Sequence, residues 1–171
     1  MNIDRSYQSS NFNHRPHNVI VNCIVLHADE DPKIADSLHY TCTKGEADPP
    51  VSYHCIVGRT GIVYETVDPS ERAWHAGASS FNGSPDCNSY SVGVCFSNLN
   101  DGKEPFTEEA LRATAEYCAH LMSVFPAITL ERITTHLAVA LPPGRKHDPP
   151  VQTFNVSQFR ELVADCRRQL A

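Results

Sequence analysis

The sequence predicts an α/β domain, a mixed central β-sheet flanked by helices, and three observations carry that expectation. The chain has 171 residues, one domain's worth and enough to bury a core without staples. Strand-length apolar runs intermix with helical periodicity along the chain, with no internal repeat, low-complexity tract or long linker. The composition, 41% hydrophobic and 20% charged, is that of a globular protein rather than a disordered or coiled-coil one. A formal net charge of −6 argues against nucleic acid as partner, because phosphate binding needs a basic face. No apolar run approaches the roughly 20 residues needed to span a bilayer.

Residues 1–17 read as a polar arm and 18–171 as the domain proper. The arm has no apolar h-region, so an ordinary secretory signal is not expected and synthesis in the cytoplasm is. Asn18 to Leu26 is a β-branched run of the kind buried on both faces, and His27 ends it. A short helix follows around Pro32 to Cys42, with the proline in its first turn, and the segment closes on Asp48-Pro49-Pro50. Ser52 to Val57 and Ile62 to Val67, separated by Gly58-Arg59-Thr60-Gly61, form a hairpin signal. Residues 68–90, rich in Ser, Asn, Gly and Pro, read as a long surface loop. Ser91 to Ser97 is another buried strand.

Thr107 caps a helix that opens on Glu108 and Glu109 and turns Leu111, Ala115, Cys118, Met122 and Phe125 to the core. Ile133 to Thr135 is a short strand running into His136. Four prolines and a glycine keep residues 141–150 irregular. Asn155, with Gln158 three residues on and Phe154 facing Phe159, starts the last helix as a capping box with a hydrophobic staple. That role also discounts Asn155-Val156-Ser157 as a glycosylation sequon.

The seven cysteines are odd in number and form no C-x-x-C pair. They read mostly as buried free thiols suited to a reducing compartment, one or two bridges remaining open. The nine histidines are more informative. His27 and His136 each stand directly after a strand, and ends of adjacent strands open onto a common crevice. Alone, each reads more often as a hydrogen-bonded structural histidine than as a ligand. Arg145-Lys146-His147-Asp148 adds cations and a carboxylate close to the second one. Two neutral imidazoles and a carboxylate are a catalytic zinc set that leaves a fourth position open. A neighbouring lysine could stabilise the oxyanion formed when water attacks a carbonyl.

The blocks VSYHCIVGRTGIVYETVDPSERAWHAGASSFNG, NSYSVGVCFSN and THLAVALPPGRKHDPP resemble the zinc-dependent N-acetylmuramoyl-L-alanine amidases. That family is shared by bacterial recycling amidases, phage amidase-type lysozymes and peptidoglycan recognition proteins. The resemblance runs from about His27 to the final helix. It implies a mixed sheet flanked by helices and hydrolysis of the amide between N-acetylmuramic acid and L-alanine, in peptidoglycan or in muropeptides. It also implies one zinc ion per chain on His27, His136 and Asp148, with Lys146 as the oxyanion-stabilising cation. Trp74 and His75 match the family's cleft-lining motif. They and Arg72 are expected to contact substrate, the alternative being a loop packed by its own tryptophan and an arginine solvated at the surface.

Two departures from the family pattern stand out. Eleven residues separate His136 from Asp148, more than in recycling-type members, which implies an insertion around residues 141–143 and makes His147 the substitute ligand. Cys95 stands where recycling-type members carry a glutamate, which leans away from selectivity for anhydro-muropeptides. Tyr53 stands where phage-type and recognition-protein members carry a tyrosine. It would act either as the base, which requires a drop of about 3 units from a pKa of about 10, or as a donor that orients water or stabilises charge. His54, its neighbour on the strand, is expected to face the core, and Cys55 to be a buried thiol. The rival readings are a non-catalytic peptidoglycan-binding module on the same fold, and a zinc amidase or peptidase with another amide substrate. An amidase of this kind would act on cytoplasmic muropeptides, or reach the wall through lysis or a dedicated export route.

Overall fold

The computed structural model describes residues 1–31, 33–43 and 49–170. Pro32 and Asp48, the expected first-turn proline and the start of the closing turn, lie outside the described residues. In chain order the elements are β1 (Asn2–Asp4), β2 (Phe12–Asn13), β3 (Cys23–Ala28), α1 (Ile34–Cys42), β4 (Cys55–Val57) and β5 (Ile62–Glu65). Then come β6 (Arg72–Ala73), β7 (Ser80–Phe81), β8 (Ser84–Pro85), α2 (Cys87–Tyr90) and β9 (Ser91–Phe96). The chain ends with α3 (Glu108–Val124), β10 (Ile133–Thr135), α4 (His136–Val139) and α5 (Val156–Leu170).

Among the described residues the main sheet has six strands in the order β1-β5-β4-β9-β3-β10. β4, β9, β3 and β10 run parallel, and the hairpin partner β5 is antiparallel to β4. The sheet is therefore mixed, as expected. Period-2 alternation divides its central strands cleanly. Ile24, Leu26, Val92, Val94 and Phe96 face the cluster built with α3 and α5, while Cys23 and Val25 face Ala76, Cys87 and Val139 on the other side. Phe96 sits among Phe106, Phe154 and Phe159, with ring centroids 4.9–6.2 Å away.

Helices α3 and α5 start where their caps dictate. The Thr107 side chain accepts the Ala110 N–H, and Ala115, Cys118 and Met122 are buried, with Leu111 and Phe125 packed alongside. Asn155 Oδ1 accepts from the backbone N–H groups of Ser157 and Gln158, and the Phe154 and Phe159 rings meet at 5.5 Å. All seven cysteines are free.

Two stretches differ from expectation for one reason: polar side chains hold them to distant backbone. The segment expected to be a polar arm is woven into the fold. β1 extends the sheet parallel to β5, and β2 pairs with β6. The Arg15 guanidinium donates to the carbonyls of Pro69, Ser70, Asn88, Ser89 and Ser91. The expected surface loop 68–90 is likewise compact, with Ala73, His75, Ala76, Cys87 and Asn88 buried.

Candidate metal centre

The register of two neighbouring parallel strands builds the site. Thr135 of β10 pairs with Leu26 of β3, so His136 and His27 leave the same end of the sheet together, their rings 4.5 Å apart. Residues 141–150 then loop back, and Leu137 N–H donates to the Asp148 carbonyl at 2.8 Å. That bond brings the Asp148 Oδ2 to 3.1 Å from His136 Nδ1 and 3.3 Å from His27 Nδ1. All three residues are buried, and their ligand atoms lie within 4.8 Å of one another. His147, the substitute ligand, is exposed and turned into a neighbouring groove.

The trio is a group that could hold a cation. His136 Nε2 lies 3.2 Å from the Ala76 carbonyl oxygen and its Nδ1 lies 3.1 Å from Asp148 Oδ2; the tautomer that donates to the carbonyl turns a bare Nδ1 to Asp148. Burial pushes the His27 ring down to about 4, so it is neutral at pH 7, and its Nδ1 has no hydrogen-bond partner. Burial raises the Asp148 carboxyl, but the two imidazoles beside it more than offset that and hold it well below the usual carboxylate range. Lone pairs thus converge in a buried space. An uncompensated arrangement of that kind is costly, and a divalent cation resolves it. Two imidazole nitrogens and one carboxylate oxygen suit zinc. Ligands at bond lengths of about 2.0–2.1 Å in a tetrahedron stand about 3.3 Å apart, close to the two observed separations.

Beside the trio lies a cleft of about 350 Å³ whose lining includes Asp29, Tyr40, Tyr53, His136, Lys146 and Asp148. Tyr53 and Lys146, expected to act on substrate, therefore do reach the metal trio's cleft. The Tyr53 ring is 5.0 Å from that of His27. Burial pushes its hydroxyl well above the usual tyrosine range, and neighbouring Cys95, Asp148 and Asp29 push it further. Cys95 is fully buried, and burial raises its thiol far above a reactive range.

Asp29 was not singled out in the sequence. It follows β3 two residues after His27, a spacing that returns a side chain to the same face of a strand, which is the signal that could have found it. One of its oxygens accepts from the Asp31 and Asn98 N–H groups at 3.2 Å, and the other has no partner. Burial raises this carboxyl to about 6.

The three expected substrate contacts have other partners. Arg72 is paired with Asp86 and also donates to Asn13 and Ser89. The Trp74 indole N–H donates to Asn13 Oδ1 at 2.7 Å. His75 is buried behind His27, with Nδ1 3.0 Å from His27 Nε2. In each case a polar neighbour from elsewhere in the chain fixes the side chain's orientation. His54 is fully buried and Cys55 likewise, as expected.

The chain resembles several known proteins. A family profile for N-acetylmuramoyl-L-alanine amidase matches residues 16–150. The 1,6-anhydro-N-acetylmuramyl-L-alanine amidase AmpD of Haemophilus influenzae is 31% identical over 173 residues, covering 93% of this chain and 91% of that protein. AmpD of Salmonella typhimurium is 34% identical over 114 residues, 67% of this chain and 58% of that protein. Among solved structures, a selenomethionine AmpD derivative superposes with a TM-score of 0.76 at 24% identity, over 94% of this chain and 93% of that one. AmiD from E. coli, bound to anhydro-N-acetylmuramic acid-L-Ala-D-gamma-Glu-L-Lys, superposes with a TM-score of 0.72 at 22% identity, over 87% of this chain and 60% of that one. Both superpositions speak to the fold.

Proposed function

This chain belongs to the N-acetylmuramoyl-L-alanine amidase family, and from that premise we propose that it hydrolyses the amide between N-acetylmuramic acid and L-alanine using one zinc ion held by His27, His136 and Asp148. The observation that carries the reading is the buried convergence of the Asp148 carboxylate with two imidazole nitrogens, one of them unpartnered. Zinc bound there supplies Lewis acidity and a lowered pKa for the attacking water.

The chain's own residues complete the chemistry. The Lys146 ammonium, on the cleft wall with His136 and Asp148, stabilises the negative charge that develops on the scissile carbonyl oxygen. Tyr53 acts as a donor: its partly buried phenol keeps its proton and can orient water or share the developing charge. Asp29 contributes a free acceptor oxygen at the same cleft. The complete ligand trio favours an enzyme over a non-catalytic binding module.

Two measurements test the proposal. Metal analysis of the purified protein should give about one zinc per chain. Digestion of purified sacculi and of a soluble anhydro-muropeptide, with the cut bond identified by mass, should release intact stem peptides beginning with L-alanine. Cleavage elsewhere, or none by zinc-loaded protein on either substrate, would refute it. The two substrates also separate soluble fragments from intact wall as the preferred target.

A further inference from the structure

The geometry points to His75 as a positioning residue of the metal centre: it holds the His27 ring in the tautomer that carries its proton on Nε2 and turns a bare Nδ1 toward His136 and Asp148. The inference rests on the metal-centre reading above and extends it from the ligands to what orients one of them.

The direction of the proton chain is set at its far end. The Cys87 carbonyl can only accept, and Ser91 Oγ lies 2.6 Å from it, so the hydroxyl proton sits on that bond. Ser91 Oγ is then an acceptor for His75 Nε2, 3.3 Å away. An imidazole protonated on Nε2 carries its lone pair on Nδ1, and His75 Nδ1 lies 3.0 Å from His27 Nε2. His27 Nε2 must therefore donate. Its Nδ1 is left bare, and that is the atom with no hydrogen-bond partner, 3.3 Å from the Asp148 carboxylate.

Two features hold His75 itself. A Cβ at Gly93 would lie 2.4 Å from His75 Cγ, so the ring can rest against β9 only because that position is glycine. Ser91, two residues earlier on the same strand, shares the face. On the other side, Asn88 Oδ1 accepts from the backbone N–H groups of His75 at 3.1 Å and Ala76 at 2.7 Å. The dipeptide so pinned serves both imidazoles, through the His75 ring for His27 and through the Ala76 carbonyl for His136. Second hydrogen bonds of this kind fix the tautomer and aim of metal-binding histidines, and losing one typically lowers metal affinity about 10- to 100-fold.

Imidazole nitrogen chemical shifts of the metal-free wild-type protein read the tautomer directly. His27 should be protonated on Nε2; protonation on Nδ1 overturns the inference without recourse to any variant. Zinc alone is then titrated against a chromophoric chelator. His75→Ala should bind it roughly 10- to 100-fold more weakly and show mixed His27 tautomers, whereas His75→Asn, whose Oδ1 stands near the place of Nδ1, should return to within about threefold of wild type. Wild-type affinity in His75→Ala, or an Asn variant no better than the Ala variant, overturns the inference while the metal centre stands. Wild-type protein that takes up no zinc overturns the metal-centre reading and this one with it.

Discussion

Acid should unfold this protein through His54, a residue that takes no part in the chemistry. Its ring is fully buried; Nδ1 accepts the Gly93 N–H at 2.8 Å and Nε2 donates to the Glu71 carbonyl at 3.0 Å. One nitrogen accepts and the other donates, which is the neutral form, and the Arg15 guanidinium stands 3.2 Å from Nε2. Burial first, and the Arg15 charge second, lower its pKa from 6.5 to about 3. Between those values the unfolded chain binds a proton that the folded one refuses, so folded stability rises with pH there, with a limiting slope of about 1.36 kcal/mol per pH unit. The contribution is fully present above about pH 6.5 and lost as pH falls toward 3, up to about 5 kcal/mol in all. That is a large part of the roughly 5–15 kcal/mol that holds a domain together. The assay is urea unfolding of metal-free protein across about pH 7.5 to 4.5, comparing wild type with His54→Asn, whose Oδ1 can still accept the Gly93 N–H. The variant starts less stable near neutrality, having lost packing and the Glu71 bond, but its profile is flatter by about 1 kcal/mol per pH unit toward the acid end. Parallel profiles would refute the argument.

Three further outcomes follow from the cleft. Lys146→Ala should lower kcat about 100- to 1,000-fold with zinc retained, and Tyr53→Phe should also slow turnover without changing zinc content; wild-type rates in both would mean the cleft is misassigned. Asp148→Asn should lose zinc and activity together while His147→Ala keeps both, as metal analysis of each purified variant would reveal; retained zinc in the first would remove Asp148 from the ligand set. Cys95→Ser should turn over at close to the wild-type rate, at some cost in melting temperature for a polar group in a buried position, and complete loss of turnover in folded, zinc-loaded protein would return the thiol to the mechanism.

Much of the fold was legible because its signals are local. β3 and β9 announce themselves as β-branched runs, β5 follows a glycine-flanked turn, and α3 and α5 begin at caps whose side-chain bonds span two or three residues. The convergence of His27, His136 and Asp148 was legible for a related reason. Two histidines at strand ends need only the strands to be neighbours, and a resemblance supplied the third residue. What stayed hidden is held by hydrogen bonds across long sequence separations. Arg15 reaches carbonyls 54 to 76 residues away, and nothing periodic in residues 1–17 encodes that the arm will be drawn in.

Residues 74–77 meet the same limit, and it bears on how the site works. A histidine next to a tryptophan in a polar loop suggests a side chain offered to substrate, and sequence has no means of registering that the partner is another histidine 48 residues earlier. The neighbouring Ala76 is less visible still, because what it provides to His136 is a backbone carbonyl, which any residue would carry. The constraint is transferred to positions that never touch a ligand. Asn88 must be able to accept two N–H bonds at once, and Gly93 must lack a side chain. A carbonyl and a missing Cβ are both blank in composition and periodicity, yet they decide which nitrogen of each imidazole faces Asp148. The geometry of the proposed metal centre is therefore set as much by α2 and the middle of β9 as by the strand ends that carry His27 and His136.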